Sequence, residues 1–257
     1  MILALDIGNT NITIGVYNDK NLLFVSRMAT DSSRMEDQYA IELRDILDIY
    51  GVSLQEIEGA VVSSVVPPVN TFIVRAIKRL IKVDPVCVGP STKTKINVRV
   101  QQPQMVGADL LVGCVAAADM FRGPTIILDM GTATTLVVLD REKNMLGGCI
   151  CPGVGISMNA LTHRTAQLPS ISLEAPEHTI SDNTIDCMRS GIIFGTACMI
   201  DGMVERMETE LGEKCHVVAT GGLSKEIIPY CKHSIHFCDT LLLEGLRMIY
   251  EDNKPLR

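Results

Sequence analysis

Two stretches of the chain share one pattern of apolar and polar positions. Leu5-Asp6-Ile7-Gly8-Asn9-Thr10-Asn11-Ile12-Thr13-Ile14-Gly15-Val16-Tyr17 and Leu128-Asp129-Met130-Gly131-Thr132-Ala133-Thr134-Thr135-Leu136-Val137-Val138-Leu139-Asp140 each begin with an apolar run that ends in a carboxylate. A tight glycine turn follows, and then a second run rich in β-branched residues. The offset is 123 residues, from Asp6 to Asp129, close to half of the 257-residue chain. It continues through Lys20-Asn21 opposite Lys143-Asn144 and Leu23 opposite Leu146. Both copies predict strand, turn, strand, polar turn, strand. A repeat of this long a period points to a duplicated domain, not to a solenoid.

The remaining pattern alternates helix and strand. Tyr39, Leu43, Ile46, Leu47 and Tyr50 fall on one helical face, and Gly51 is a stop signal. Ala60–Val66 predicts a strand closed by Pro67-Pro68, and Phe72, Ile73, Ala76, Ile77, Leu80 and Ile81 predict a second helix. A short strand at Pro85–Val88, a polar segment over 89–106 and a helix over 108–121 complete the first half. The second half predicts a helix over 184–211, a strand over 216–220, a Gly221-Gly222 turn opening another helix, and a last helix over 241–251. This is an α/β chain with one domain over 1–116 and another over 117–257, and helix 108–121 is placed to bridge them.

Composition narrows the partners. At 47% hydrophobic and 21% charged residues the chain is globular. A net charge of −7 with no Lys/Arg run disfavours nucleic acid and a membrane surface. No stretch of roughly 18 uncharged apolar residues is present, and the first residues, Met-Ile-Leu-Ala-Leu-Asp, lack a basic leader. A cytoplasmic protein is expected. Nine scattered cysteines are not a disulfide framework, and the single close pair, Cys149 and Cys151, lacks the further ligands zinc needs.

The duplicated turns carry candidate chemistry. A carboxylate at a strand end, a glycine that lets backbone approach closely, and small polar side chains form a cradle for phosphate oxygens. The carboxylate can hold Mg²⁺ directly or through water. One such turn is ordinary turn composition; two at matching positions make a polyphosphate clamp the better reading. No Gly-x4-Gly-Lys-Ser/Thr is present, and no Gly-x-Gly-x-x-Gly follows a strand. Gly221-Gly222 is either a tight strand-to-helix turn or bare backbone beside a flat ligand. The glycines from Gly147 to Gly155 are either turn chemistry or a close approach to a ligand or another loop. Asp109, where a helix begins, is either an N-cap or a functional carboxylate. His163 and Arg164 read as an exposed helix end or as a reach toward a substrate phosphate or carboxylate, the first favoured, and Asp201 with Glu205 as a solvated face.

The chain's paired Asp-x-Gly loops and late Gly-Gly loop resemble the superfamily of actin, hexokinase and acetate kinase. Within it, the ordered set Asp6–Asn11, Ser63-Ser64-Val65-Val66-Pro67, Gly107-Ala108-Asp109, Asp129–Thr135, Gly147-Gly148 with Pro152-Gly153, and Ala219–Leu223 resembles type III pantothenate kinase over essentially the whole chain. The resemblance implies two ribonuclease H-like domains with ATP in the cleft between them, an actin-like ATPase fold. It implies phosphorylation of pantothenate to 4′-phosphopantothenate with ATP, Mg²⁺ and K⁺ or NH₄⁺, by a homodimer. Carried over by position, Asp6, Ile7, Gly8, Asn9, Thr10, Asn11, Ile12, Thr13 and Thr132 bind ATP, with Gly221 and Gly222 at the adenosine. Asp6 also meets Mg²⁺, and Asp129 holds the monovalent cation. Asp109 is the general base. Gly107, Ala108, Asp109, Leu110 and Thr184 meet the acid substrate.

Two departures fall in one place. The family usually carries Arg where this chain has Leu110, and tends to carry Tyr where it has Val100. Both changes remove polar partners for a carboxylate substrate, and Arg99 and Arg189 are the candidate replacements. Three readings follow: an active pantothenate kinase, a nucleotide-binding paralogue with lost or altered acid-substrate specificity, or a kinase of another small metabolite.

Overall fold

Strand β1 (Ile2–Ile7) lies between an antiparallel neighbour, β2 (Asn11–Asn18), and a parallel one, β4 (Gly59–Ser64). With β3 (Asn21–Ala29) and β5 (Val86–Cys87) they form a sheet of order β3-β2-β1-β4-β5. The computed structural model describes residues 1–254. Helices α1 (Glu36–Ile49) and α2 (Pro67–Ile81) provide the crossovers that parallel strands require. Their buried Tyr39, Leu43, Leu47, Ile73 and Ile77 pack with Leu3, Leu5, Ile7, Ile12 and Ile14.

The second sheet has the same order. Strands β7 (Thr125–Met130), β8 (Ala133–Leu139), β9 (Asn144–Pro152), β10 (His216–Thr220) and β11 (Ile235–Phe237) run β9-β8-β7-β10-β11, with the short β6 (Asn97–Val98) added at the β9 edge. The remaining helices are α3 (Ala108–Met120), α4 (Val154–Arg164), α5 (Thr184–Leu211), α6 (Ser224–Ile227) and α7 (Leu241–Asn253). Helix α5 starts on an Asn183 side chain that accepts the Asp186 N–H and stops at Gly212 in the left-handed region. By length and composition alone it could cross a membrane. Its Ile193, Ala197, Ile200 and Val204 instead fill the core over β7, β8 and β10.

The duplication holds with one adjustment. Asp6 pairs with Thr13 across the first hairpin, and Asp129 pairs with Thr135 across the second. The second turn is one residue shorter, so Thr13 is equivalent to Thr135, not to Leu136 as an ungapped alignment has it. Both third strands carry a bulge at the matching place, Leu23 of β3 opposite Val16 and Tyr17 and Leu146 of β9 opposite Val138 and Leu139. The following hairpin restores the original offset.

Two units result, but they are not consecutive halves. One comprises residues 1–97, 101–116 and 240–254; the other comprises 98–100 and 117–239. The expected second domain of 117–257 is therefore corrected at its end. Helix α7 packs on β1, β2 and β4 of the first unit. Close contacts fix it there: a Cβ at Gly59 would fall 1.8 Å from the Tyr250 hydroxyl oxygen, and one at Gly15 would fall 2.9 Å from Leu243. Helix α3 runs across the division between Ala116 and Ala117. Pro67 and Pro68 do not merely close β4; they are the first residues of α2, where a missing N–H costs nothing.

Candidate active site

In the first unit the Asp6–Thr13 turn sits at the carboxyl end of β1. The Gly8 N–H closes it onto the Asn11 carbonyl (3.0 Å). From the end of β3, Thr30 holds it twice, its hydroxyl donating to the Gly8 carbonyl (2.7 Å) and its N–H to that of Thr10 (2.9 Å). Asn9, Thr10 and Asn11 are exposed. Ile7 and Ile12 are buried in the core, so those two members of the predicted set can meet a ligand only through backbone.

Directly paired residues on neighbouring strands share a face. Thr13, Asp6 and Ser63 are therefore a row of hydroxyl, carboxylate and hydroxyl across three strands. The second unit repeats the row as Thr135, Asp129 and Thr220. Both rows flank the point where strand order reverses, β1 against β4 and β7 against β10, which is where open α/β sheets bind ligands. The Ser63, Thr134 and Thr135 hydroxyls are buried without a hydrogen-bond partner. Thr134 pairs with Met130 and faces the core side of its sheet. An unsatisfied buried hydroxyl costs about 1–3 kcal/mol, so Ser63 beside Asp6 and Thr135 beside Asp129 mark places a ligand or cation would complete. These are hard oxygen donors of the kind Mg²⁺ and K⁺ take, and the residues fit both groups. Among the described residues no three His, Cys, Asp or Glu side chains converge.

Backbone crowds the second loop. A Cβ at Gly153 would lie 2.2 Å from the Thr132 carbonyl oxygen, and one at Gly221 would lie 2.5 Å from that of Met130. The head of α4 and the Thr220-Gly221-Gly222 turn are thus pressed against the Asp129–Thr132 segment. The glycine-rich stretch divides into two parts. Gly153 approaches the loop. Gly147 and Gly148 serve the β9 bulge instead, Gly147 at φ +130° and Gly148 against the Leu136 carbonyl. Gly221 has φ +98°. Gly221→Ala is expected to destabilise the protein by about 1–3 kcal/mol through that backbone strain, as a lowered midpoint of urea unfolding.

Asp109 lies in the first turn of α3, one residue inside the helix and not at the cap position. Its Oδ1 accepts the Leu110 N–H (2.8 Å), and burial raises its carboxyl above the ordinary carboxylate range despite that bond. A Cβ at Gly107 would stand 2.4 Å from the same Oδ1, so glycine there leaves room for the carboxylate. Ala108 and Leu110 are half-buried beside it. Helix α3 touches α7 where Gly245 meets Val112. Through Gly15, α7 covers the sheet face that carries Thr13, so Asp109 and the Asp6 row belong to the same side of the first unit.

Other predicted residues stand apart. Thr132 and Gly222 are exposed, and Thr184 is the exposed first residue of α5. His163 and Arg164 are exposed in the last turn of α4. The two candidate replacements for the missing arginine lie in the second unit. The Arg189 guanidinium is engaged by Asp186 (3.3 Å), Glu174 (3.0 Å) and Ser172 (2.5 Å). Arg99 is exposed, with its N–H on the Met145 carbonyl (2.9 Å). Asp201 corrects the expectation of a solvated face. It is 6% exposed and accepts the Lys232 and His233 N–H groups and the His233 ring. It is a structural staple between α5 and the loop before β11, whereas Glu205 is exposed.

Known proteins resemble this chain. A family model described as type III pantothenate kinase matches residues 2–206. The type III pantothenate kinase of Halalkalibacterium halodurans is 41% identical over 254 residues, 98% of this chain and 100% of that protein. That of an Exiguobacterium species is 42% identical over 254 residues, 99% of this chain and 100% of that protein. Among solved structures, (R)-2-hydroxyglutaryl-CoA dehydratase component A of Acidaminococcus fermentans superposes with a TM-score of 0.58 at 13% identity, covering 96% of this chain and 94% of that one. That likeness is one of fold alone, the actin-like ATPase fold. With the duplicated Asp-x-Gly turns, the Gly-Ala-Asp helix head and a full-length likeness to two such kinases, the chain belongs to the type III pantothenate kinase family.

Proposed function

We propose that this chain is a small-molecule kinase that transfers the γ-phosphoryl group of ATP to the primary hydroxyl of pantothenate, giving 4′-phosphopantothenate at the entry to coenzyme A synthesis. The observation that carries the reading is Asp109, a half-buried carboxylate with raised proton affinity at a helix head made roomy by Gly107. Phosphoryl transfer asks the protein for positioning and charge neutralisation, with a carboxylate to take the hydroxyl proton. Asp109 takes that proton. The Asp6–Thr13 turn and Thr132 hold phosphate oxygens, and Gly221-Gly222 lies against the adenosine. Gly107, Ala108, Leu110 and Thr184 bound the acid substrate. Asp6 holds Mg²⁺ and Asp129 holds K⁺ or NH₄⁺; when bound, these cations neutralise charge on the transferring phosphate.

We place the enzyme in the cytoplasm as a homodimer that binds neither nucleic acid nor membrane. Its charge of −7 supports the first exclusion, and exposed Leu146 and Ile150 on one face of β9 support the dimer. Leu110, with Arg189 engaged elsewhere, favours a second reading in which nucleotide binding persists and the acid substrate differs. ADP release in ATP, Mg²⁺ and K⁺ separates the two: saturable dependence on pantothenate supports the first, and ATP binding without turnover supports the second. Exchanging K⁺ for Na⁺ is expected to depress turnover; indifference removes the role given to Asp129.

A further inference from the structure

We infer that Ser63 is a positioning residue for the divalent cation at Asp6, holding a water of its hydration shell through the hydroxyl. The inference rests on the reading of Asp6 as the residue that holds Mg²⁺. Ser63 is the register partner of Asp6 on the parallel neighbour, so both side chains leave the same face. It is fully buried, and its Oγ has no hydrogen-bond partner. Its neighbour Ser64 does what a serine at a strand end ordinarily does, accepting the Val66 N–H at 3.1 Å. The distinction between the two is one of place: Ser63 stands at the point where strand order reverses, beside the carboxylate.

The reach is right. A Mg²⁺–water contact of about 2.1 Å followed by a hydrogen bond of about 2.8 Å spans roughly the 4.8 Å between adjacent strands. Mg²⁺ gives up its waters reluctantly, so a site built on one carboxylate needs oxygens that hold water, not further carboxylates. The second unit repeats the arrangement with Thr220 beside Asp129. A hydroxyl at this position is thus present in both copies, while the residues around it differ.

The test uses Mn²⁺ as the probe, followed by electron paramagnetic resonance, with a non-hydrolysable ATP analogue and the full chain. Ser63→Ala is expected to weaken Mn²⁺ binding in the ternary complex about three- to tenfold, the worth of one net hydrogen bond. Its affinity for the analogue without a divalent cation should be unchanged. Ser63→Thr, which keeps the hydroxyl as Thr220 does, should restore binding. Unchanged Mn²⁺ affinity in Ser63→Ala overturns the inference. So does an equal loss of analogue binding without metal, or a Ser63→Thr protein of unaltered thermal stability that binds as weakly as the alanine variant. Asp6→Asn keeps the two readings apart. If it leaves Mn²⁺ affinity intact, Asp6 is not the metal residue and the inference falls with it; if it abolishes binding while Ser63→Ala does not, only the Ser63 role is wrong.

Discussion

Asp109→Asn is expected to lower kcat for pantothenate by about 10²- to 10⁴-fold, the range of a lost general base, with little change in ATP affinity. Asparagine still accepts the Leu110 N–H, so the helix head survives and the loss is chemical. The pH dependence carries the same signature. Burial raises the Asp109 carboxyl, and the base works only when ionised. The acid limb of kcat/KM should therefore lie above the ordinary carboxylate value of about 3.9, with activity falling as pH drops through it. Stability moves in the opposite sense. A carboxyl that binds its proton more tightly folded than unfolded costs stability when ionised, and that cost fades as pH falls through the folded pKa. The asparagine variant should melt at a higher temperature than the parent at pH 7, with a gain that shrinks toward pH 4. Full activity in Asp109→Asn would remove the base; a variant inactive and also less stable at pH 7 would mean that the carboxylate props up the helix instead.

Leu110→Arg is expected to lower the KM for pantothenate about ten- to hundredfold. Leu110 is half-buried in the first turn of α3, next to Asp109, and Arg189 is engaged by Asp186, Glu174 and Ser172. A charge-assisted hydrogen bond to the substrate carboxylate is worth about 1.5–3 kcal/mol. A cation in the first helical turn opposes the macrodipole at a cost of about 0.3–1 kcal/mol. The gain exceeds the cost, so the variant should bind its acid substrate better while melting slightly lower. The measurement is steady-state kinetics at saturating ATP. An unchanged KM would show that the substrate carboxylate does not lie near this helix head.

Much of this was legible in the residues alone. The helix over 184–211 and the strand over 216–220 have the predicted limits, because a side-chain cap, a left-handed glycine and a β-branched run mark them locally. The duplicated sheet was visible through its Asp-x-Gly turns. What escaped depends on contacts distant in sequence. Strand β6 has two residues and β11 three, too short for any period. Helix α4 follows Pro152-Gly153 and carries Gly155 in its first turn, which mask it. The equivalence of Thr13 and Thr135 was hidden because one residue is missing from one turn and regained in the next. Ser63 looked like part of an apolar strand; a serine ending such a run beside the strand of Asp6 was the available signal. Asp201 shows the opposite error, since its partners Lys232 and His233 lie about thirty residues away along the chain.

The return of α7 to the first sheet sets an order of assembly. Everything from 117 to 239 can leave the ribosome and fold while the Ala4, Gly15 and Val61 side of the first sheet still lacks its cover. The part of the chain made first is finished last. A message broken a dozen or so codons early would therefore yield a protein whose second unit is sound, whose Asp6 stands on an open sheet and whose Asp109 helix has lost the neighbour that Gly245 of α7 supplies, the more serious injury falling on the end farthest from the break.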